Sequence, residues 1–290
     1  MSPELPELDG VRHSYHQVNG FRQHVAEAGD PAAEPIVMVH GWPQHWWCWR
    51  KIIPGLSERY RLICPDLRGH GWSDAPPDGY EKPQLARDLV ALLDVLGLDR
   101  VRLMGHDWGS MAGFLACIGV PERFDRFLAT SIAPPFPPVQ GPKAYLQAWR
   151  LYYQLPLTLP VIAPRLVSRP GFLEVFFKAG TMQDDAISRA DLDMYTHVLA
   201  ARPHVTLSMY RTFITGEAFD LVSGRWAGPL RVPTEVMVGE GDIVANPERI
   251  LGASKPYAPD LRVHEVKGAR HFLPEEQPEA VVERALAFFA

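Results

Sequence analysis

An aspartate stands between two glycines in the pentapeptide Gly105-His106-Asp107-Trp108-Gly109. The glycines allow a strained backbone and a close approach between a preceding strand and a following helix. The free N–H groups at the start of that helix would stabilise an anion at the turn. A carboxylate held there can attack an electrophilic carbon and form a covalent ester. An isolated aspartate at a helix start more often serves only as an N-cap, so this interpretation depends on its partners.

Two further residues could complete a catalytic triad with Asp107. Asp242, in VGEGDIV, and His271, in GARHF, each follow a predicted buried strand. The carboxyl ends of parallel strands are where α/β sheets carry their sites. Taken singly, Asp242 would be a turn residue and His271 a packed or solvated loop residue. Their order along the chain instead predicts a nucleophile, then an acid, then a histidine base that the acid orients.

An oxyanion hole is predicted from the tetrapeptide His40-Gly41-Trp42-Pro43, at the end of an earlier strand. The backbone N–H groups of Trp42 and Trp108 would donate hydrogen bonds to a developing negative charge. A tight turn that needs Gly41 and Pro43 would explain the same residues. The two interpretations are compatible.

The elements that must position these residues alternate between strand and helix. Continuous apolar runs such as EPIVMVHGW and RYRLICPDL are typical of strands buried on both faces. Leucines at helical spacing from Leu85 to Leu96, followed by Gly97, predict a helix between such strands. The alternation predicts an α/β fold with a mostly parallel sheet flanked by helices.

A proline-rich stretch, APPFPPVQGP, interrupts this alternation. From there to about Gly224 the segments are helical and aromatic in pattern, and buried strands return only afterwards. We therefore predict that residues 1–134 and 225–290 form one core in two parts. Residues 135–224 would form an inserted helical cap.

Composition narrows the class of protein. The chain has 290 residues, of which 47% are hydrophobic and 22% charged, as in ordinary soluble globular proteins. A net charge of −5 argues against nucleic acid as a partner, and the longest apolar stretch is too broken by prolines to span a membrane. We expect no secretory signal. Three widely spaced cysteines without a CxxC pair indicate a reducing compartment, so a cytoplasmic protein is expected.

No cofactor is expected, and the predicted partner is a small-molecule substrate. The histidines His40, His45, His70 and His106 match no metal-ligand spacing, so no metal site is predicted. The glycine-rich stretches lack the lysine and helix pattern of a nucleotide-binding loop.

Together these motifs resemble those of the α/β-hydrolase superfamily over nearly the whole chain. HGWPQHWWCWR, DLRGHGWSD, GHDWG, GEGD and GARHF look most like its epoxide hydrolase branch, to which the haloalkane dehalogenases are close. The resemblance implies that Asp107 attacks a carbon of an epoxide and forms an alkyl-enzyme ester. His271, oriented by Asp242, would then activate the water that hydrolyses this ester.

Ring opening also needs an acid, which epoxide hydrolases usually supply as two cap tyrosines. Tyr210, in SMYRTF, matches the second of them. Trp149 stands where the first is expected, and Tyr152 and Tyr153 lie one helical turn further on. Aromatic packing between cap and core would explain these two tyrosines equally well. Phe136 and Trp149, together with Trp42 and the cap aliphatics, predict an apolar pocket for a lipophilic or aromatic epoxide.

Two alternatives remain open at this point. In some haloalkane dehalogenases two indole N–H groups bind the departing halide, and Trp108 and Trp149 could do so here. The motif HGWPQ and the presence of Tyr210 favour the epoxide hydrolase. A ligand-binding protein on the same scaffold is the second alternative, which the complete triad opposes. The exposed apolar residues of the cap could serve as the contact of a homodimer.

Overall fold

The computed structural model describes residues 4–137 and 154–290. Their centre is an eight-stranded sheet made of β1 (Arg12–Val18), β2 (Phe21–Ala28), β3 (Pro35–Val39), β4 (Arg61–Pro65), β5 (Val101–His106), β6 (Phe124–Thr130), β7 (Thr234–Gly239) and β8 (Arg262–Val266). Across the sheet they lie in the order β1-β2-β4-β3-β5-β6-β7-β8. β2 is antiparallel to both of its neighbours. The other strands, which lie in the order β4-β3-β5-β6-β7-β8, run parallel to one another. The predicted mostly parallel sheet is confirmed.

The helices of the described residues are α1 (Ile53–Ser57), α2 (Lys82–Val95), α3 (Trp108–Gly119), α4 (Gln154–Leu157), α5 (Ile162–Val167), α6 (Phe172–Gly180), α7 (Arg189–Ala201), α8 (Pro203–Thr212), α9 (Ala218–Val222), α10 (Pro247–Ser254), α11 (Leu273–Glu276) and α12 (Pro278–Phe289). A π-helix, Phe213–Glu217, joins α8 to α9. We call α4 to α9 with this π-helix the inserted helices, because they lie between β6 and β7 in the chain. None of the helices in the described ranges is long and apolar enough to cross a membrane.

Each face of the sheet carries its own hydrophobic core. Along β3, Val37 and Val39 pack in the cluster that includes α2 and α3, whereas Ile36 and Met38 pack in the cluster that includes α1 and α12. Successive side chains of a strand point to opposite faces, so a strand covered by helices on both sides needs apolar residues at every position. This explains the continuous apolar runs of the sequence.

Two buried ion pairs join the inserted helices to the rest of the chain. Arg50 Nη2 lies 2.7 Å from Asp191 Oδ2 on α7, and Lys82 Nζ lies 2.8 Å from Glu217 Oε2 at the end of the π-helix. The inserted helices are thereby fixed over the carboxyl ends of the parallel strands. The predicted boundaries of a cap, at residues 135 and 224, stay a prediction.

Candidate active site

Asp107 occupies the sharp turn between β5 and α3. Its backbone has a φ of 50°, a value that residues other than glycine rarely adopt. Another segment of the same chain approaches this turn so closely that two positions must be glycine. A Cβ atom at Gly109 would lie 2.2 Å from the carbonyl oxygen of Val39, and one at Gly41 would lie 2.4 Å from the Cβ of Asp107. The backbone around the turn therefore packs tightly against Asp107 and leaves no room for a side chain at Gly41 or Gly109.

The Asp107 carboxylate accepts a backbone hydrogen bond. The N–H of Trp42 donates to Oδ2 at 3.0 Å, and the N–H of Trp108 helps to lower the pKa of this carboxyl. These are the residues predicted to form an oxyanion hole, and that role stays a prediction. Burial alone would raise the pKa of Asp107, but hydrogen bonding and charge from His271, with the Trp108 N–H, lower that pKa below its usual value.

The structure brings Asp107, Asp242 and His271 together. His271 Nδ1 lies 3.2 Å from Asp242 Oδ2, and His271 Nε2 lies 3.6 Å from Asp107 Oδ1. The other Asp242 oxygen accepts a hydrogen bond of 2.7 Å from the N–H of Val244, which fixes the carboxylate. The three residues follow the carboxyl ends of β5, β7 and β8, as the sequence predicted. Their catalytic roles stay a prediction.

Two carboxylates surround the His271 ring. Burial would lower the pKa of His271, but Asp242 and Asp107 outweigh that effect and raise it to about 10. The ring is therefore a cation at neutral pH while Asp107 keeps its charge. One imidazolium between two carboxylates leaves the triad with a net charge of −1.

His106 is a neutral neighbour of this cation, and no catalytic role was predicted for it. Its ring centroid lies 5.3 Å from that of His271. Thr130 donates its hydroxyl proton to the carbonyl of Gly105 and so accepts a hydrogen bond from His106 Nδ1 at 3.0 Å. Burial, with the nearby His271 charge, lowers the pKa of His106 to about 3. A second positive charge beside His271 is thus avoided.

Tyr210 projects from α8 against Trp42 and Trp108. Its ring packs edge-on against Trp42, with centroids 5.1 Å apart, and lies 6.4 Å from the ring of Trp108. The indole Nε1 of Trp42 donates to Thr206 Oγ1 at 3.0 Å, one helical turn before Tyr210. The residue predicted as the ring-opening acid therefore lies next to the two tryptophans predicted as oxyanion donors.

The other predicted substrate contacts have different outcomes. Trp149, Tyr152 and Tyr153 lie outside the described residues. Phe136 is buried and stacks on Tyr257, with ring centroids 4.7 Å apart and an interplanar angle of 14°. Packing is therefore its observed contact, and a role in binding substrate stays a prediction.

Sequence reasoning missed several side chains that surround the site. Phe176 of α6 packs edge-on against Trp42 with centroids 4.8 Å apart, and Phe213 packs against Trp108 at 4.9 Å. Lys82 places its ammonium 4.4 Å from the Trp108 ring centroid. The amphipathic pattern of FLEVFFKAG could have indicated a packed helix, but not that Phe176 would be its contact with Trp42.

The described residues contain neither a group of side chains arranged to bind a metal ion nor a reactive thiol. Within residues 4–137 and 154–290, no group of three or more histidine, cysteine, aspartate or glutamate side chains is arranged to hold a metal ion. The cysteines Cys48, Cys64 and Cys117 are free and buried. Burial raises the pKa of each thiol, which makes it a poor nucleophile.

Known proteins resemble this chain over nearly its whole length. The family model of the alpha/beta hydrolase fold matches residues 34–278. A soluble epoxide hydrolase of Corynebacterium sp. (strain C12) is 28% identical, over 97% of this chain and 98% of its own length. Epoxide hydrolase 1 of Siraitia grosvenorii is 30% identical, over 94% of this chain and 96% of its own.

A solved structure extends the likeness to three dimensions. The crystal structure of an epoxide hydrolase from Vigna radiata is 26% identical, with a TM-score of 0.83, over 98% of this chain and 99% of that one. All three of these relatives are named as epoxide hydrolases, so the dehalogenase alternative is not favoured. The chain belongs to the α/β-hydrolase fold family, in its epoxide hydrolase branch.

Proposed function

We propose that this enzyme hydrolyses epoxides to vicinal diols through a covalent alkyl ester on Asp107. The observation that carries the proposal is an aspartate at the strand-to-helix turn, 3.6 Å from a histidine and held by the backbone N–H of Trp42. A carboxylate can displace oxygen at a saturated carbon, and the resulting ester can be hydrolysed. The epoxide hydrolase relatives, matched over nearly their full length, support the same reaction.

In the first step an oxygen of Asp107 attacks one ring carbon of the epoxide. Oδ2 accepts the Trp42 N–H, which suits it to become the ester carbonyl oxygen and leaves Oδ1 as the attacking atom. The bond between that carbon and the epoxide oxygen breaks. The oxygen takes a proton from the hydroxyl of Tyr210, because an alkoxide is a poor leaving group. The product is a hydroxyalkyl ester of Asp107. The Tyr210 phenolate regains a proton through solvent, and the His271 imidazolium gives up one proton because the ester no longer carries the charge that stabilised it.

In the second step water attacks the carbonyl carbon of this ester. His271 removes the proton from the water, and Asp242 orients and stabilises the resulting imidazolium. The negative charge that develops on Oδ2 is stabilised by the N–H groups of Trp42 and Trp108. Collapse of the intermediate breaks the bond between the carbonyl carbon and Oδ1. The departing alkoxide takes the proton from the His271 imidazolium and leaves as the diol. The carboxylic acid of Asp107 then gives its proton to His271, which regenerates the carboxylate and the imidazolium.

The inserted helices would act as the cap that encloses the substrate. Tyr210, Phe176 and Phe213 come from these helices and pack against the tryptophans beside Asp107. An aromatic wall of this kind suits a lipophilic epoxide. The cytoplasmic location and the homodimer stay predictions.

The test traps the ester. His271→Ala removes the base, so incubation with styrene oxide or 1,2-epoxyhexane should yield an intact protein heavier by the full mass of the epoxide. The same incubation of Asp107→Asn combined with His271→Ala should yield no adduct. Glycidol, a small polar epoxide, should react more slowly than styrene oxide.

Two results would contradict the proposal. One is an alkyl adduct from 1-bromohexane, without bromine, when the epoxides give none, because that would make the enzyme a dehalogenase. The other is the absence of an adduct from either class although the variant is folded by circular dichroism. If the epoxide adduct does form, chiral analysis of the diol that wild type makes from enantiopure styrene oxide defines which ring carbon Asp107 attacks.

A further inference from the structure

Lys82 is a fully buried lysine at the first position of α2. Its relative exposure is 0%, which is unusual because removing an ammonium from water is costly unless the charge is paired. Burial lowers the pKa of Lys82, and the charge of Glu217 opposes that effect. Neither residue has a part in the reaction described above.

The contacts of Lys82 lie on two sides of the active site. Its ammonium donates to Glu217 Oε2 at 2.8 Å and to the carbonyl of Met209 at 3.0 Å. It also lies over the ring of Trp108, 4.4 Å from the centroid, in a cation–π contact. Trp108 directly follows the nucleophile, and Met209 directly precedes Tyr210. One ammonium therefore links the chain next to the nucleophile with the chain next to the proposed acid.

Glu217 fixes the orientation of Lys82. One of its oxygens accepts the Lys82 backbone N–H at 2.6 Å, while the other accepts the ammonium. The hydroxyl of Thr212, the last residue of α8, has one proton to donate and lies 3.0 Å from the carbonyl oxygen of Met209 and 3.3 Å from Glu217 Oε2. The intervening π-helix gives the chain the wide turn that brings Glu217 back toward the end of α8. A cation at the carboxyl end of α8 also complements the helix dipole.

We propose that Lys82 and Glu217 are a positioning pair that sets the hydroxyl of Tyr210 at the correct distance from Asp107 for ring opening. The proposal rests on the proposed function, because it assigns the pair to the first step of that reaction. A buried ion pair contributes little net stability compared with well-packed apolar side chains, but its direction and length are fixed. A displacement of a reacting group by about 1 Å can cost on the order of 10²-fold in rate.

The test is a double-mutant cycle between Lys82→Met and Tyr210→Phe, made in the His271→Ala protein so that the ester accumulates. The rate of full-mass adduct formation with styrene oxide reports the first step alone. Lys82→Met should slow this step by about tenfold or more. In the Tyr210→Phe background the same substitution should change the rate by less than about twofold, because no hydroxyl remains to be positioned.

A matched control separates positioning from stability. Arg68 is also a buried cation, with an ion pair of 2.8 Å to Asp88 on α2 and a cation–π contact of 4.5 Å with Phe21. Arg68→Met removes equivalent interactions within the core. It should lower Tm as Lys82→Met does, yet leave the rate of adduct formation within about twofold of the parent.

Each possible failure gives a different result. The positioning role would be overturned if Lys82→Met slowed adduct formation equally with and without the Tyr210 hydroxyl. It would also be overturned if Arg68→Met slowed adduct formation as much as Lys82→Met does. If Lys82→Met does not fold, Glu217→Gln takes its place in the same cycle and the same criteria apply. If the His271→Ala parent forms no full-mass adduct, the proposed function fails, and the role of Lys82 falls with it.

Discussion

The Nε2 atom of His271 lies 3.6 Å from the Oδ1 atom of Asp107, so the proposed base and nucleophile are charge partners in the resting enzyme. Burial opposes a charge on His271, but Asp242 and Asp107 raise its pKa to about 10. A protonated imidazole cannot accept a proton from water. Esterification removes the charge of Asp107 and with it one cause of the raised pKa. The first step would thus produce the base that the second step needs.

Asp107→Asn should lower the pKa of His271. Asparagine has nearly the size of aspartate, but like the ester it carries no charge. The expected change is from about 10 toward the ordinary value of about 6.5. A pH titration of the ¹⁵N-labelled imidazole by NMR measures it in both proteins. An unchanged pKa in Asp107→Asn would mean that Asp242 alone keeps the ring protonated.

His271 should also contribute a pH-dependent part of the free energy of unfolding. Its folded-state pKa is raised, so the contribution is fully present below the unfolded value of about 6.5 and is lost as the pH rises through about 10. The difference in unfolding free energy between wild type and His271→Ala should therefore shrink from pH 6 to pH 10. Urea denaturation at several pH values tests this, and a constant or growing difference would contradict it.

Asp242→Asn should slow hydrolysis of the ester far more than its formation. The carboxylate fixes the ring and stabilises the imidazolium that forms when water is deprotonated, and loss of such a group costs on the order of 10²–10⁴-fold. Rapid-quench mass spectrometry should show a burst of alkylated enzyme followed by slow turnover. Equal slowing of both steps would remove Asp242 from its assigned role.

Tyr210→Phe should slow formation of the ester by about 10²-fold, since a general acid contributes roughly this much. Decay of an ester that has already formed should change little, because the second step uses other groups. Single-turnover measurements in the presence of excess enzyme separate the two rates. If the decay were slowed instead, Tyr210 would act on the hydrolytic step.

Gly41→Ala should displace the nucleophile, because the new Cβ would lie 2.6 Å from Asp107 Oδ2. We expect activity to fall by about 10²-fold or more, as for a misplaced reacting group. Gly252→Ala, within α10, is the control, since apart from its own chain neighbours and the backbone of its helix no atom lies within 4 Å of the new Cβ. It should preserve activity and raise the unfolding free energy by about 0.5–1 kcal/mol. Full activity in Gly41→Ala would refute the steric argument.

The part of the site that lies on the sheet was predictable from sequence because it follows from local patterns. A buried strand is recognised from its continuous apolar run, and the residue just beyond it lies at a known edge of a parallel sheet. Asp107, Asp242 and His271 were singled out at such positions, and their order along the chain predicted a triad. Trp42 and Trp108 were predicted as oxyanion donors from the same turns.

Contacts between the inserted helices and the core were not predictable, because they join residues far apart in the chain. Helical periodicity indicates which face of α6 or α8 is apolar, but not which core residue that face meets. Lys82 has the sequence pattern of an ordinary charged residue beside a helix start. Its ion pair spans 135 positions to Glu217. Only the folded structure reveals that pair and the π-helix that allows it.

Trp42 contacts both Asp107 and the inserted helix α8. Its backbone N–H binds Asp107, its indole N–H binds Thr206, and its ring packs on Tyr210. A substitution in α8 that is meant to admit other epoxides should therefore also disturb Trp42, the proposed donor to the negative charge that develops in the reaction. Selectivity and turnover become linked traits of one helix. A mutant library screened for either trait should be assayed for both.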